Sequence, residues 1–357
     1  MTAGFGSYAP EEVTWLLTDL SGVALELPNE DREELIQGGR HYFEMLPVEY
    51  QPDAAYTALF HQALADSADR LALAVGLVCG LVLDYQPAPV LVSLARAGTP
   101  IAILMRRWFA MQGIVVPHYA VSIVRGAGID EVALAHVLAR HDAAQVRFVD
   151  GWTGKGAIAR ELATAVAGYA GLDSELAVLA DPGQCTTLYG TREDFLIPSA
   201  CLNSTVSGLV SRTVLRADLI GPGMFHGAKF YAELADQDVS AVFLDTVSDA
   251  FPLVAAQVAA LLPAHLADDR TATWSGWEAI TSIAAEHGID SLNLVKPGVG
   301  ETTRVLLRRV PWKVLVHPDR QADLQHVLVL AQARGVPIVM TPNLPYSCVG
   351  LIKPVDR

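Results

Sequence analysis

An acid, a run of small residues and a helix start follow one another at residues 146–158, and that order can hold an anion. Val146, Arg147, Phe148 and Val149 read as a buried strand that ends at Asp150. Gly151, Trp152, Thr153, Gly154, Lys155 and Gly156 form a tight turn, and residues 157–169 read as an alanine-rich helix. Small residues let backbone N–H groups approach a phosphate, and a helix N-terminus adds roughly half a positive charge. In this arrangement Asp150 can hold ribose hydroxyls, while the loop amides, the Thr153 hydroxyl and Lys155 can hold a monophosphate; the same residues equally suit a strand–helix turn made tight by glycines, with Lys155 solvated.

A second loop has the same character. The short strand 90–94 runs into Ala95, Arg96, Ala97, Gly98, Thr99 and Pro100 before another helix. Taken alone it reads as an ordinary strand–helix turn; beside the first loop in an alternating order, its amides and Arg96 suit a diphosphate. A third set is nucleophilic. Cys201 lies in a polar run and His226 follows Phe225. Brought together by folding, a thiol and an imidazole work as nucleophile and base. Cys201 is equally a candidate for a small buried residue, and His226 for a structural histidine. Asn203, Ser204, Thr205, Ser207 and Lys229 offer further polar contacts.

These loops need a scaffold, and the chain supplies an alternating one. Helices are expected at residues 10–19, 29–38 and 56–83. Strands are expected at 90–94, 119–124, 145–149 and 176–180, with helices through 109 and at 131–140. Such alternation gives a mainly parallel sheet with helices on both faces. Ligands then sit beyond the carboxyl ends of strands, where Arg96, Arg125, Asp150 and Asp181 fall. Further on, 225–235 reads as helix, 239–244 as strand and 251–266 as helix. The last part alternates again: helix 277–287, strand 292–295, helix 301–309, strand 313–316, helix 321–334 and strand 336–340.

Bulk properties bound the reading. The chain has 357 residues, 52% of them hydrophobic, so two domains with a large core are expected. The longest apolar run, 71–83, is too short to span a bilayer. The first residues lack the basic and apolar stretches of a signal peptide. Four scattered cysteines, Cys79, Cys185, Cys201 and Cys348, form no CxxC pair. Reduced thiols in a cytoplasm follow, with no cysteine-rich zinc site and no tightly bound protein metal. A net charge of −14 disfavours nucleic acid overall. From Thr271 onward, however, 9 Lys+Arg face 7 Asp+Glu, a net of +2, against 16 and 32, a net of −16, before it. That break puts a boundary near residue 270, between domains at 1–268 and 271–357.

The two loops resemble those of type I phosphoribosyltransferases, with Gly151 standing where that family usually has a second acid. The longer runs at 148–156, 193–212 and 225–231 resemble a bacterial family linked with tellurium-resistance and stress operons. That family is described as phosphoribosyltransferase-like with a C-terminal Pelota-type RNA-binding domain, and some members carry the cysteine-protease label StiP. Residues 298–304 are similar to the Pelota loop-and-helix motif, with Gly300 in place of the usual asparagine.

The resemblance implies a fold: a type I phosphoribosyltransferase-like α/β sheet with helices on both faces, plus a Pelota-like α/β/α sandwich. It implies a phosphoribosyltransferase that takes phosphoribosyl pyrophosphate with its Mg2+ and passes ribosyl phosphate to an acceptor. Asp150, Arg96 and Arg125 would be its catalytic residues. Ala95, Ala97, Gly98, Thr99, Gly151, Trp152, Thr153, Gly154, Lys155 and Gly156 would form its cradle. RNA would meet Lys296, Glu301, Thr302, Arg304 and Arg308. The label implies a different enzyme, a cysteine peptidase using Cys201 and His226. A third expectation is a non-catalytic, nucleotide-sensing RNA-binding protein.

Overall fold

The structure, a computed structural model, describes residues 4–49 and 51–353. Strands β1 (Thr14–Trp15), β2 (Thr18–Asp19) and β3 (Glu26–Leu27), two residues each, precede helix α1 (Asn29–Gln37), and β4 (Leu46–Pro47) follows it and pairs with β3. The long helix α2 (Ala54–Tyr85) follows, its first turn closed by the Asp53 carboxylate, which accepts from Tyr56 N. Strand and helix then alternate through β5 (Val90–Ala95), α3 (Gly98–Met111), β6 (His118–Val124), β7 (Gly128–Ile129) and α4 (Glu131–Leu138). The series ends with β8 (Val146–Trp152), α5 (Ala157–Val166), β9 (Leu176–Ala180) and β10 (Leu188–Thr191).

The sheet runs β1-β6-β5-β8-β9-β10 with every neighbour parallel; β7 pairs antiparallel with β6. The order reverses direction at β5, whose neighbours are β6 on one side and β8 on the other. The crevice at the carboxyl ends of β5 and β8 is therefore the switch point where ligands settle in open α/β sheets. Apolar side chains alternate between the two sheet faces, as the two-residue period of a strand requires. Leu91, Val149 and Leu179 face the layer of α2 and α3; Val92, Phe148 and Val178 face the layer of α4 and α5.

Strand β11 (Gly227–Ala228) pairs with β2, and helices α6 (Ser240–Asp249) and α7 (Phe251–Ala267) pack beside α2. The remainder comprises α8 (Ser275–Glu286), β12 (Val295–Pro297), α9 (Val299–Arg308), β13 (Pro311–Val316), α10 (Gln325–Ala333), β14 (Ile338–Met340) and β15 (Cys348–Ile352). Its sheet is mixed, in the order β12-β15-β13-β14. Val299, Leu306, Val314 and Val327 from this part share one apolar cluster with Phe195, Ile197 and Cys201.

Several local expectations change. Residues 10–19 form no helix, because Leu16 N donates to Ala120 O and the segment joins the edge of the large sheet. Residues 239–244 are not a strand. Phe243, Leu244 and Val247 recur at helical spacing and are all buried on α6. The expected helix at 225–235 is instead a short strand at Gly227–Ala228, paired with β2, followed by a 3-10 segment, Ala232–Gln237. Helix 321–334 divides into a 3-10 segment, Pro318–Leu324, and α10. Residues 348–352 form β15, a central strand between β12 and β13.

Candidate functional site

Trp152, at the end of β8, is the hub of the site. It lines a cavity of about 330 Å³ together with Arg125, Asp150, Lys155, Lys296 and Glu301. It also lines two smaller recesses. One is walled by Asp194, Ala200 and Gly298, the other by Arg96, Asn203, Ser207 and Arg304. The site therefore lies at the switch point of the large sheet and is closed by the C-terminal sheet.

Close backbone contact sets the floor. A Cβ on Gly98 would fall 2.2 Å from Val149 O, so only glycine lets α3 start against the end of β8. Asp150 Oδ1 accepts from Gly151 N at 2.7 Å. Burial pushes the Asp150 carboxyl up to about 7 against the pull of that bond. Helix α5 begins at Gly156, which has φ +74°, with no side-chain cap and no acid in its first turn.

The cradle residues separate into those that face the cavity and those that do not. Asp150, Trp152, Gly154, Lys155 and Gly156 line it, as does Arg125. Thr153 also touches it, but its hydroxyl is buried and donates to Asp181 Oδ1 instead of meeting a ligand. Thr99 is fully buried, with its hydroxyl beside Ser93 Oγ. Arg96 donates to Val210 O at 3.0 Å and pairs with Glu49 at 3.9 Å, so its guanidinium braces the neighbouring loops. Ala97 lies in the recess with Arg96, and Gly151 sits against Ala97 O. Ala95 pairs with Ser122 inside the sheet.

The residues assigned to RNA also turn inward. Thr302 is completely buried. Arg304 Nε donates to Ala200 O at 2.6 Å, and its Nη1 meets Glu301 at 2.8 Å. Its guanidinium lies 5.5 Å from the Trp152 ring centre. Lys296 and Glu301 line the central cavity. The reason is docking: the start of α9 packs onto the turn at Pro198–Ala200, so this face covers the large sheet. The side chain of Arg308 lies outside the described residues.

All four cysteines are buried. Burial and Asp181 push the Cys185 thiol up to about 12. Cys201 follows the Pro198–Ala200 turn and packs in the main apolar cluster. His226 Nδ1 meets Ser122 Oγ at 2.9 Å, and its backbone N–H donates to Asp130 Oδ2 at 2.6 Å. Burial lowers the His226 imidazole below its usual value against the attraction of Asp130.

Two acids matter more than their sequence context suggested. Asp181 takes Thr153, Arg192 and the Cys185 N–H, fixing the turn under the α5 loop. Asp194 takes Val299 N and Ser347 N, joining the two sheets. The position of Asp181 after a strand was a usable signal. For Asp194 the only hint was an acid directly before the apolar run Phe195, Leu196 and Ile197. Tyr346, whose hydroxyl donates to Gly154 O at 2.7 Å, gave none.

Fold and site describe an α/β chain with a cleft closed by a second, mixed sheet. The family model described as "Tellurite-like stress resistance cysteine protease StiP" matches residues 6–248, and that described as "PELOTA RNA binding domain" matches 274–354. The chain belongs to the StiP family, with a C-terminal Pelota-type domain. It is 32% identical over 377 aligned residues to the protein named "Cysteine protease StiP" of Acinetobacter baylyi (strain ATCC 33305 / BD413 / ADP1), covering 99% of this chain and 95% of the relative. No solved structure matches. This membership overturns the phosphoribosyltransferase reading, in which ribosyl phosphate passes from phosphoribosyl pyrophosphate to an acceptor. The buried Thr99 and Thr153 and the engaged Arg96 are the physical counterpart of that correction.

Proposed function

We propose that the chain is a cysteine peptidase of a tellurite-like stress response, with Cys201 as nucleophile. The observation that carries this reading is the position of Cys201: its neighbours Ala200 and Leu202 line recesses on two sides of Trp152. The family description and the name of the A. baylyi relative supply the class of chemistry. The other thiols suit it less. No chain neighbour of Cys79, Cys185 or Cys348 lines either recess. A thiolate is the attacking form.

In this mechanism the Cys201 thiol gives its proton to an imidazole, with His226 as the candidate, and the thiolate attacks the peptide carbonyl. The imidazolium returns the proton to the departing amine. Water then cleaves the thioester and regenerates the thiol. Access requires the turn at Pro198–Ala200 to come out from under α9, where Arg304 holds Ala200 O. The test is cleavage of a broad peptide library, read by mass spectrometry. Cys201→Ala should abolish cleavage while Cys185→Ser retains it. Undiminished cleavage by Cys201→Ala removes the proposal.

A second reading concerns the Pelota-type domain. RNA contact falls to the exposed cations Arg309, Arg334 and Lys353. Arg334 Nη1 reaches Arg309 O and Lys353 N reaches Val310 O, so the three share one end of the domain. Replacing all three by alanine should remove salt-dependent RNA binding. Unaltered binding in a filter assay refutes this assignment.

A further inference from the structure

Helix α7 carries no Lys, Arg, Asp or Glu anywhere along its 17 residues. Packing accounts for its inner side. Val254 and Val258 are buried, and Val258 and Leu262 lie over Gly76 and Gly80 of α2, where a Cβ would fall 2.5 Å from each. Packing within the chain does not account for its outer side. Leu253 is 77% exposed and Leu261 42%, with Ala256, Ala260, Ala264 and Ala267 exposed beside them. A surface helix places polar residues away from the core, and one that is apolar all round is normally covered.

The outer residues follow a regular spacing. Leu253, Gln257, Ala260, Ala264 and Ala267 recur at steps of four, three, four and three, the pattern of a helix that lies along another helix. The seam is uneven: Leu253 protrudes near one end, and alanines occupy the other. Turned end for end about Ala260, the seam matches itself. Leu253 then meets Ala267 of the second copy, and Ala256 meets Ala264 of the second copy. A parallel arrangement would set the two leucines against each other and leave the alanines apart.

Charge selects the same arrangement. The first turn of α7 has no acid and no side-chain cap, and Asp268 and Asp269 follow its last turn. In the antiparallel register those acids fall beside the positive start of the other copy's helix. Between Phe230 and Asp269 the chain has no Lys or Arg. A lipid surface, which interfacial helices meet with Lys and Arg, is therefore a poor match. The helix is about 25 Å long, so two such faces together bury on the order of 1,000 Å², the lower end for specific interfaces.

We propose that α7 is a self-association surface, on which a second copy of the chain seats its own α7 antiparallel with Ala260 at the two-fold axis. The modest area makes the dimer reversible, populated at micromolar concentrations and above. It uses none of the residues around Trp152, so it stands apart from the peptidase reading.

Sedimentation velocity on the full chain tests it, from micromolar to submillimolar concentration. The parent chain should pass from monomer to dimer, and at lower concentration in high salt, which screens the net charge of −14 on each copy. Leu253→Glu and Ala260→Glu should each weaken self-association about tenfold or more, since each buries a charge without a partner. Ala260→Lys alone should do the same. An equimolar mixture of the Ala260→Glu and Ala260→Lys chains should form a heterodimer, because the two substituted side chains meet at the axis. Val329→Glu, at a 63% exposed position on α10, should leave the equilibrium unchanged. Circular dichroism melts identify any variant that has merely unfolded. A chain that stays monomeric at every concentration overturns the proposal, as does a dimer that survives both glutamate substitutions. Flotation of a monomeric chain with phosphatidylcholine or phosphatidylserine vesicles, lost in Leu253→Glu, marks a membrane surface instead and overturns it too.

Discussion

Asp194 Oδ1 accepts the backbone N–H of Val299 at 2.9 Å, so an acid of the large-sheet unit closes the first turn of α9 in the Pelota-type domain. Oδ2 takes Ser347 N at 2.8 Å, and the Asp194 carbonyl takes the Ser347 hydroxyl at 2.7 Å. Gly298, with φ +87°, leaves room for the carboxylate; a Cβ there would lie 3.0 Å from Oδ1. A helix start normally needs a cap from its own chain segment. Here it is provided from more than a hundred residues away.

Removing that cap should be costly. Asp194→Ala leaves two buried N–H groups without acceptors, a loss of about 2–4 kcal/mol. Urea unfolding followed by tryptophan fluorescence checks the size. Asp194→Asn keeps acceptor capacity and should lose less. Equal stability of the alanine variant and the parent would contradict the capping role.

Stability near Asp150 should respond to pH in a direction unusual for an acid. Its folded pKa is raised from 3.8 to about 7, so the folded state keeps a proton that the unfolded state releases. Stability from this group is therefore lost as pH rises through that window. Asp150→Asn should raise Tm at pH 8 and leave it nearly unchanged near pH 4. Scanning calorimetry at the two pH values separates this from a substitution that acts equally at both.

The two glycines of the cleft floor should behave differently. Gly98→Ala places a Cβ 2.2 Å from backbone oxygen, which no rotamer change relieves, and soluble yield should collapse. Gly151→Ala meets nothing closer than 3.5 Å and should cost no more than about 1 kcal/mol. Parallel expression and thermal melts decide it.

The contact of Arg304 with Ala200 should control thiol access. All four thiols are buried, so the parent chain should react slowly with a disulfide reagent such as DTNB. Arg304→Ala should speed the release of one equivalent of thionitrobenzoate. The added Cys201→Ser substitution should cancel that gain. A gain that survives in the double variant would mean α9 shields a different cysteine.

The alternating strands of the large sheet were readable because they are continuous apolar runs bounded by turn residues. Residues 176–180 agree fully with β9, and 90–94 falls one residue short of β5. The segment 239–244 misled because Val239, Val242 and Phe243 suit a strand locally while their burial follows helical spacing. Short pairings such as β1 and β11 depend on distant partners, which a local pattern does not contain. At the site, the acid-and-glycine turn at 150–156 reads in sequence as an anion cradle beyond a strand end, and it lines the central cavity. The inward direction of Thr153, Thr302 and Arg304 was not legible, because hydroxyl and guanidinium partners are chosen by docking. Family membership also corrected the chemistry that the turn alone suggested.

The apolar cluster shared by Phe195, Ile197, Val299, Leu306 and Val327 has a consequence for dissection of the chain. A cut between Ala267 and Ser275 would not release two self-sufficient pieces. Each fragment would carry a greasy scar where the other had been, and would tend to aggregate or recombine. Fragment complementation, with both halves produced together, is therefore the form in which a split version of this protein should survive.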